Sequence, residues 1–470
     1  MSSQLRAQIE DFYLPRQLVD AILEVGGIPR DSEEAEVGIG FIDIANYTFL
    51  SKFLTPKENQ EVLNGLYTAF NSVLRRRGGY LNKIEGDSLM FHYGGLIDAR
   101  ARRIEDRSDL REYIARELFY TCVEMQRVSV LFNDADTRFL DDAATQEDRQ
   151  ALERAFAIIA RLRSDDAVSN PLSAMFQIRI RIGANLGEVT IGNFGPEGAR
   201  QWDVIGMPVI DAKRMETTAP VGGLRISRQY YDVLERSGMV DEYYSRFRRE
   251  AQALGSRYAT ITKDELFQFR SVTVKEKSNA AYETCSIQVN PNLPEQIAKQ
   301  TTALLYQGRY GATHVSELIR YYRGNRYVID AIEDALDAAG VVIRRGAVFH
   351  LLYPNRHTQR LAEFGGDESA MEGSLREEFT LFNLMEKLGT YQDIINQTSV
   401  SDAETLPFSS FDRYVSLAMG QHNRRFEELK SEIAQRAYFH NVVFPMVFVV
   451  LEASIMEHQA DQEDLELLSG

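Results

Sequence analysis

The chain has 470 residues, 44% of them hydrophobic and 26% charged, and a formal net charge of −16. That length exceeds what one core usually fills, so two or three domains are expected, and the composition excludes a disordered chain. The acidic excess argues against broad binding to nucleic acid or to an anionic membrane, where basic surface supplies most of the affinity. Along the chain, residues 8–27 carry Leu18 and Ile22 at helical spacing, with Val19 and Val25 beside them, and stop at Gly26-Gly27. VGIGFIDI (37–44) reads as a buried strand, 57–77 as an amphipathic helix along Val62, Leu66, Phe70 and Val73, and 80–94 as two strands about a turn at Glu85-Gly86-Asp87. Residues 100–170 are helical and charged, with Leu110, Ile114, Leu118 and Cys122 on one face and a second helix at 147–163. Strand-like 175–195 follows, then a helix through Ile210–Met215, a strand at 224–227, a helix from 228 and a strand pair at about 267–289. This alternation predicts one α/β or α+β domain.

Beyond Pro291 the texture becomes helical. Residues 314–353 read as helix, turn, helix and a small hairpin wing through VVIRRGAVFHL, with Val328, Ile332, Leu336 and Ala339 on one face. Helices at 368–388, 408–438 and 441–458 complete the expectation. The longest apolar run, Val442–Leu451, is ten residues broken by Pro445, whereas a span needs about 20. With no apolar leader core in MSSQLRAQIEDFYLPRQL and only Cys122 and Cys285 as thiols, a soluble protein of the reducing cytoplasm is expected.

Four segments, FIDIANYT (41–48), KIEGD (83–87), IRIGANLGEVTIGNFG (180–195) and WDVIGMPVIDAKRM (202–215), together resemble the class III adenylyl/guanylyl cyclase catalytic domain over about residues 10–290. The resemblance implies an α+β, ferredoxin-like βαββαβ domain at 36–290, with an entry helix at 1–35 and a helical insertion at about 100–170. A winged-helix-like unit at 291–360 and a helical interaction region at 361–470 follow.

It also implies roles for single residues. Asp43, Ile44 and Asp87 match the positions that hold two Mg²⁺ or Mn²⁺, and paired carboxylates suit such ions. An Asp in a turn is by itself only a turn former, but an unpaired Asp in a buried strand is costly. Asn46, Tyr47 and Thr48 begin the next helix, where backbone N–H groups suit phosphates. Lys83 and Asp203 match the base readers: Lys donates to adenine N1 and Asp accepts from the N6 amine, where guanylyl cyclases carry Glu and Cys. A salt bridge worth ~0–1 kcal/mol is the plainer reading of that pair. Arg214 matches the transition-state arginine, and Lys275, or Lys277, the lysine at the terminal phosphates; a surface charge run explains KEK nearly as well.

Four residues before Arg214 the family carries an Asn, and this chain has Ile210. Losing one positioned donor costs ~2.7–4 kcal/mol unless another replaces it, and Lys213, three positions on, is the candidate. The function implied is conversion of ATP to cyclic AMP and pyrophosphate, at sites shared across a head-to-tail homodimer. A weak or inactive nucleotide-binding relative, or a cyclase for a guanine or pyrimidine nucleotide, are the alternatives; the GG[DE]EF signature of diguanylate cyclases is absent. In the C-terminal third, Asp330, Glu333, Asp334 and Asp337 outweigh the nearby arginines, so a protein partner is expected there rather than DNA.

Overall fold

The structure, a computed structural model, describes residues 15–29, 31–45, 47, 51–133, 135–136, 140, 143, 145–164, 178–197, 199–273, 281–352, 354–386, 388 and 443–469. Helix α1 (Arg16–Val25) ends on Gly26 in the left-handed region and leads to β1 (Glu33–Ala45). Helix α2 (Pro56–Arg77) starts at a Thr55/Glu58 capping box. The hairpin β2 (Tyr80–Glu85) and β3 (Ser88–Gly94) follows, then α3 (Arg107–Asn133) and α4 (Gln146–Ser164). The domain continues through β4 (Arg179–Phe194), β5 (Gln201–Ile205), α5 (Met207–Thr218), β6 (Gly223–Ser227), α6 (Arg228–Arg236) and α7 (Met239–Leu254). It closes with β7 (Phe267–Thr273) and β8 (Ala281–Gln288).

The strands form one sheet in the order β2-β3-β1-β4-β6-β8-β7, with β5 paired to the end of β4. Strand β1 runs antiparallel to both β3 and β4, while β4 and β6 are parallel. The order β2-β3-β1-β4, with α2 and α3 as the crossovers, is the βαββαβ arrangement expected of an α+β domain. Both faces of the sheet are covered. Ile42, Ile44, Phe91, Ile180 and Ile182 pack with α2 and α3 on one side. Val37, Ile39, Phe41, Met90, Val189 and Trp202 form a second core with Ala21 of α1 and Ala212 of α5 on the other. The charged helices of the 100–170 segment are part of the first core. Ile114, Leu118, Cys122 and Met125 are fully buried, and a Cβ at Gly65 of α2 would meet the Ala155 methyl of α4 at 2.4 Å.

The C-terminal region corrects one expectation. Helices α8 (Leu293–Leu304), α9 (Gly308–Tyr322) and α10 (Arg326–Ala339) are followed by a helix, α11 (Arg345–Leu352), where a hairpin wing was expected. Arg345, Val348, Phe349 and Leu352 are all buried, a spacing of i, i+3, i+4 and i+7 that belongs to a helix rather than a strand. Arg345 itself pairs with Glu333 on α10. Three more acidic residues of α10 are also engaged within the chain: Asp330 with Arg326, Asp334 with Arg257 and Asp337 with Arg376. Helices α12 (Pro354–Glu363), α13 (Glu368–Glu378) and α14 (Phe444–Ser469) complete the region. The described part of the apolar run, 443–451, packs inward through Met446, Val447, Phe448 and Leu451, and no helix among the described residues is long and apolar enough to cross a membrane. The helix expected at 408–438 lies outside the described residues.

Candidate active site

Strand alternation puts Asp43 where it is. Val37, Ile39 and Phe41 point into the core beneath α1 and α5, and Asp43 has the same parity at the end of that row. Across β1, Asp43 faces Ser88 of β3 on one side and Arg181 of β4 on the other. Asp87 is the last residue of the β2–β3 turn, after Gly86 with φ +63°. The turn is braced from α2, where Tyr67 Oη donates to the Gly86 carbonyl. Burial first, and then the charge of Asp43, holds the Asp87 carboxyl above the usual carboxylate range, partly offset by a backbone hydrogen bond and by Lys213 and Arg181.

Two cations and a third carboxylate complete this cluster. Arg181 forms an ion pair with Asp43. Helix α5 contributes Lys213, whose Nζ lies 2.7 Å from Glu216 Oε2 and 3.1 Å from Ser88 Oγ. Glu216 is buried, and desolvation raises its carboxyl against the pull of Lys213. Gly183 seats the helix: a Cβ there would stand 1.9 Å from the Glu216 backbone nitrogen and 2.5 Å from the Ala212 carbonyl oxygen. Only glycine permits that approach of α5 to β4.

A second cluster joins residues 120 positions apart. Lys83 Nζ on β2 lies 3.1 Å from Asp203 Oδ2 on β5. Asn82 Nδ2 donates to the other oxygen of Asp203 at 3.2 Å, and the Val204 N–H donates to it at 2.8 Å. Trp202 and Val204 anchor β5 in the core on either side of Asp203. Tyr80 lies beside this cluster, its hydroxyl pushed up to about 12 by burial and by the Asp203 charge. Next to it the surface is apolar, with Ile205, Met207 and Ile210 exposed. Arg214 Nη1 lies 3.2 Å from Asp211 Oδ1, one turn earlier on α5.

The sequence-predicted residues therefore fall into two groups. Asp43 and Asp87 come together, with Ile44 buried behind them and able to offer only its carbonyl. Lys83 and Asp203 come together elsewhere. Tyr47 donates to Asn59 Oδ1 near Asp87, while Asn46, Thr48, Lys275 and Lys277 lie outside the described residues. Lys213, the candidate to replace the Asn missing at position 210, is engaged within the chain. Ile210 is 47% exposed, whereas the Lys213 ammonium is turned to Glu216 and Ser88. Arg181, Ser88 and Glu216 were not anticipated. The alternating IRIRIG run and the Lys213–Glu216 spacing of i, i+3 are the sequence signals that point to them.

Residues 30–260 match the family model of the adenylate and guanylate cyclase catalytic domain. That segment belongs to this family. An 81-residue stretch is 35% identical to guanylyl cyclase C of Sus scrofa, covering 17% of this chain and 8% of that protein, so the chain spans only a small part of that relative. Among solved structures, the adenylyl cyclase CyaB from P. aeruginosa is similar at 16% identity and TM-score 0.36, over 56% of this chain and 99% of that one. The guanylyl cyclase Cya2 gives 18% and 0.34 over 55% and 93%. A bacterial light-regulated adenylyl cyclase gives 14% and 0.39 over 62% of each chain.

Cyclases of this family use divalent metal ions in general. Among the described residues of this cyclase domain no group of three or more His, Cys, Asp and Glu side chains forms a metal cage. The Asp43 and Asp87 carboxylates are hard oxygen donors too few to enclose an ion. That set fits Mg²⁺ or Mn²⁺, which keep waters and take phosphate oxygens, better than an ion needing a full protein shell.

Proposed function

We propose that the cyclase domain converts ATP to 3′,5′-cyclic AMP and pyrophosphate. The observation that supports adenine is the contact of Lys83 with Asp203. A fixed ammonium beside a fixed carboxylate complements an edge with one ring acceptor and one amine, as adenine has at N1 and N6. Guanine presents N1–H and O6 there, so with Lys83 at position 1 and Asp203 at position 6 the same pair would oppose donor to donor and acceptor to acceptor. Asn82 and the Val204 amide hold the Asp203 carboxylate in place before the base arrives.

In this reading the ribose 3′-oxygen attacks the α-phosphorus, its proton is lost, and the bond to the β-phosphate oxygen breaks to release pyrophosphate. Arg214 donates to the α-phosphate oxygens as charge gathers on them. Asp43, Asp87 and the Ile44 carbonyl would hold two Mg²⁺ or Mn²⁺, which when bound neutralise triphosphate charge and acidify the 3′-hydroxyl. Tyr47, with Asn46 and Thr48, would lie at the β- and γ-phosphates, and Lys275 at the terminal phosphate.

The Asp43/Asp87 cluster and the Lys83/Asp203 cluster would meet across a head-to-tail homodimer. The exposed apolar side chains of Ile205, Met207 and Ile210, beside Asp203 and Arg214, support an interface there. The helices after residue 290 are proposed as an interaction module for a protein partner, a role supported over DNA by the burial of Arg345 against Glu333, which removes one of the few cations that could meet a phosphate.

One observation favours a slower variant of the same reading: at position 210 an exposed isoleucine offers the ribose no donor. Parallel turnover assays with ATP, GTP, CTP and UTP, with Asp43→Ala as the blank, test the proposal. Cyclic AMP from ATP alone supports it; another cyclic product overturns the base assignment, and no product from folded protein moves the function to nucleotide binding.

A further inference from the structure

We propose that Lys213 is a built-in cation of the carboxylate site, competing with a divalent ion for the charge of Asp43 and Asp87 and so weakening metal binding. This rests on the reading above that those carboxylates hold metal. Four observations carry it. The Lys213 Nζ is held 3.1 Å from Ser88 Oγ, on the residue that follows Asp87 and faces Asp43 across the strands. It lies 2.7 Å from Glu216, which is buried and fixes it there. The Phe41 ring lies under it, 5.5 Å from Nζ, on the same strand as Asp43. Its charge acts on Asp87 and on Glu216, the two carboxyls that burial raises.

The charge balance shows the consequence. Asp43, Asp87 and Glu216 carry three negative charges, and Arg181 and Lys213 supply two positive ones inside the same cluster. An entering divalent ion must displace or tolerate a cation already satisfied by that field. Arg181 is locked to Asp43 directly across the strands. Lys213 sits on a flexible stem at the edge and is the cation whose removal leaves the Asp43 pairing intact.

A structural role alone predicts a different pattern. If Lys213 only neutralised Glu216, its loss would act through that carboxylate alone and would leave Mn²⁺ binding no tighter once Glu216 is Gln.

The test is titration of full-length, nucleotide-free protein with Mn²⁺ alone, following free Mn²⁺ by electron paramagnetic resonance. Lys213→Met is expected to bind Mn²⁺ about tenfold tighter than wild type, the order for removing one unit charge from a partly exposed carboxylate pair. Because Lys213→Met leaves Glu216 buried without its partner, Lys213→Met/Glu216→Gln is compared with Glu216→Gln, and the same tightening is expected. Unchanged or weaker Mn²⁺ binding in the Glu216→Gln background overturns the proposal, whatever the single variant does, as does a variant that alters only the KM for ATP. Asp43→Asn separates this failure from that of the underlying reading: if it binds Mn²⁺ as wild type does, the carboxylates hold no metal and both statements fall.

Discussion

Lys83 and Asp203, 120 residues apart in the chain, meet at 3.1 Å although β2 pairs with β3 and β5 with β4 rather than with each other. Both side chains are partly exposed, at 39% and 24%, so the ion pair contributes little to stability by itself. Its value is positional: two opposite hydrogen-bonding groups held side by side. Replacing both, as Lys83→Glu with Asp203→Cys, is expected to lower the ATP-to-GTP ratio of kcat/KM by about 10² or more. Parallel assays of the two nucleotides check it, and an unchanged ratio would remove the pair from base selection.

Dimerisation gives a second prediction. Asp43→Ala and Arg214→Ala proteins should each be inactive, yet an equal mixture should recover about a quarter of wild-type activity. Half of the random dimers are mixed, and each has one intact site of two. An absence of recovery after exchange of subunits, verified by mass spectrometry, would count against a shared site.

Ile210 is expected to limit turnover. Ile210→Asn adds a donor on the exposed turn of α5 before Arg214 and should raise kcat by about 10-fold to 10²-fold, part of what one positioned donor is worth. Steady-state kinetics with ATP decide it; a fall in kcat would mean that the isoleucine serves the interface.

Gly183 is expected to tolerate no side chain. Its Cβ would meet the backbone of α5 at 1.9 Å, and backbone cannot swing aside as a side chain can. Gly183→Ala should cost at least about 2 kcal/mol in urea unfolding, and should disturb Lys213, Arg214 and Glu216 together. Full stability in that variant would show that α5 is not seated on β4 as described.

For pH, the sign follows from Asp87. Its carboxyl is raised above the ordinary carboxylate value of 3.8 chiefly by burial, so the charged form destabilises the fold at neutral pH. That penalty is full above the raised folded value and fades as pH falls below it towards 3.8. Asp87→Asn should therefore raise the Tm of metal-free protein at pH 7.5, with the gain shrinking as the buffer is acidified. Thermal melts across that range measure it, and a lower Tm at pH 7.5 would contradict the assignment of burial as the dominant cause.

The amino-acid sequence by itself made the strands of the sheet and several candidate site residues legible. Alternation in β1 placed Asp43 at the end of a buried row, glycines marked the turns, and the resemblance of KIEGD and WDVIGMPVIDAKRM to the cyclase family singled out Lys83, Asp87, Asp203 and Arg214 as candidates. These are local patterns, each set within one element. The tertiary structure decided what lies between elements. It set Arg181 against Asp43 through strand register and brought Lys213 of α5 against Ser88 of β3. It also made a helix of residues 345–352, where buried Arg345 found Glu333 on α10 as its partner. Cross-strand neighbours and ion pairs between distant segments depend on register and on the direction of each side chain, and neither has a signature in the spacing of residues along one strand or helix.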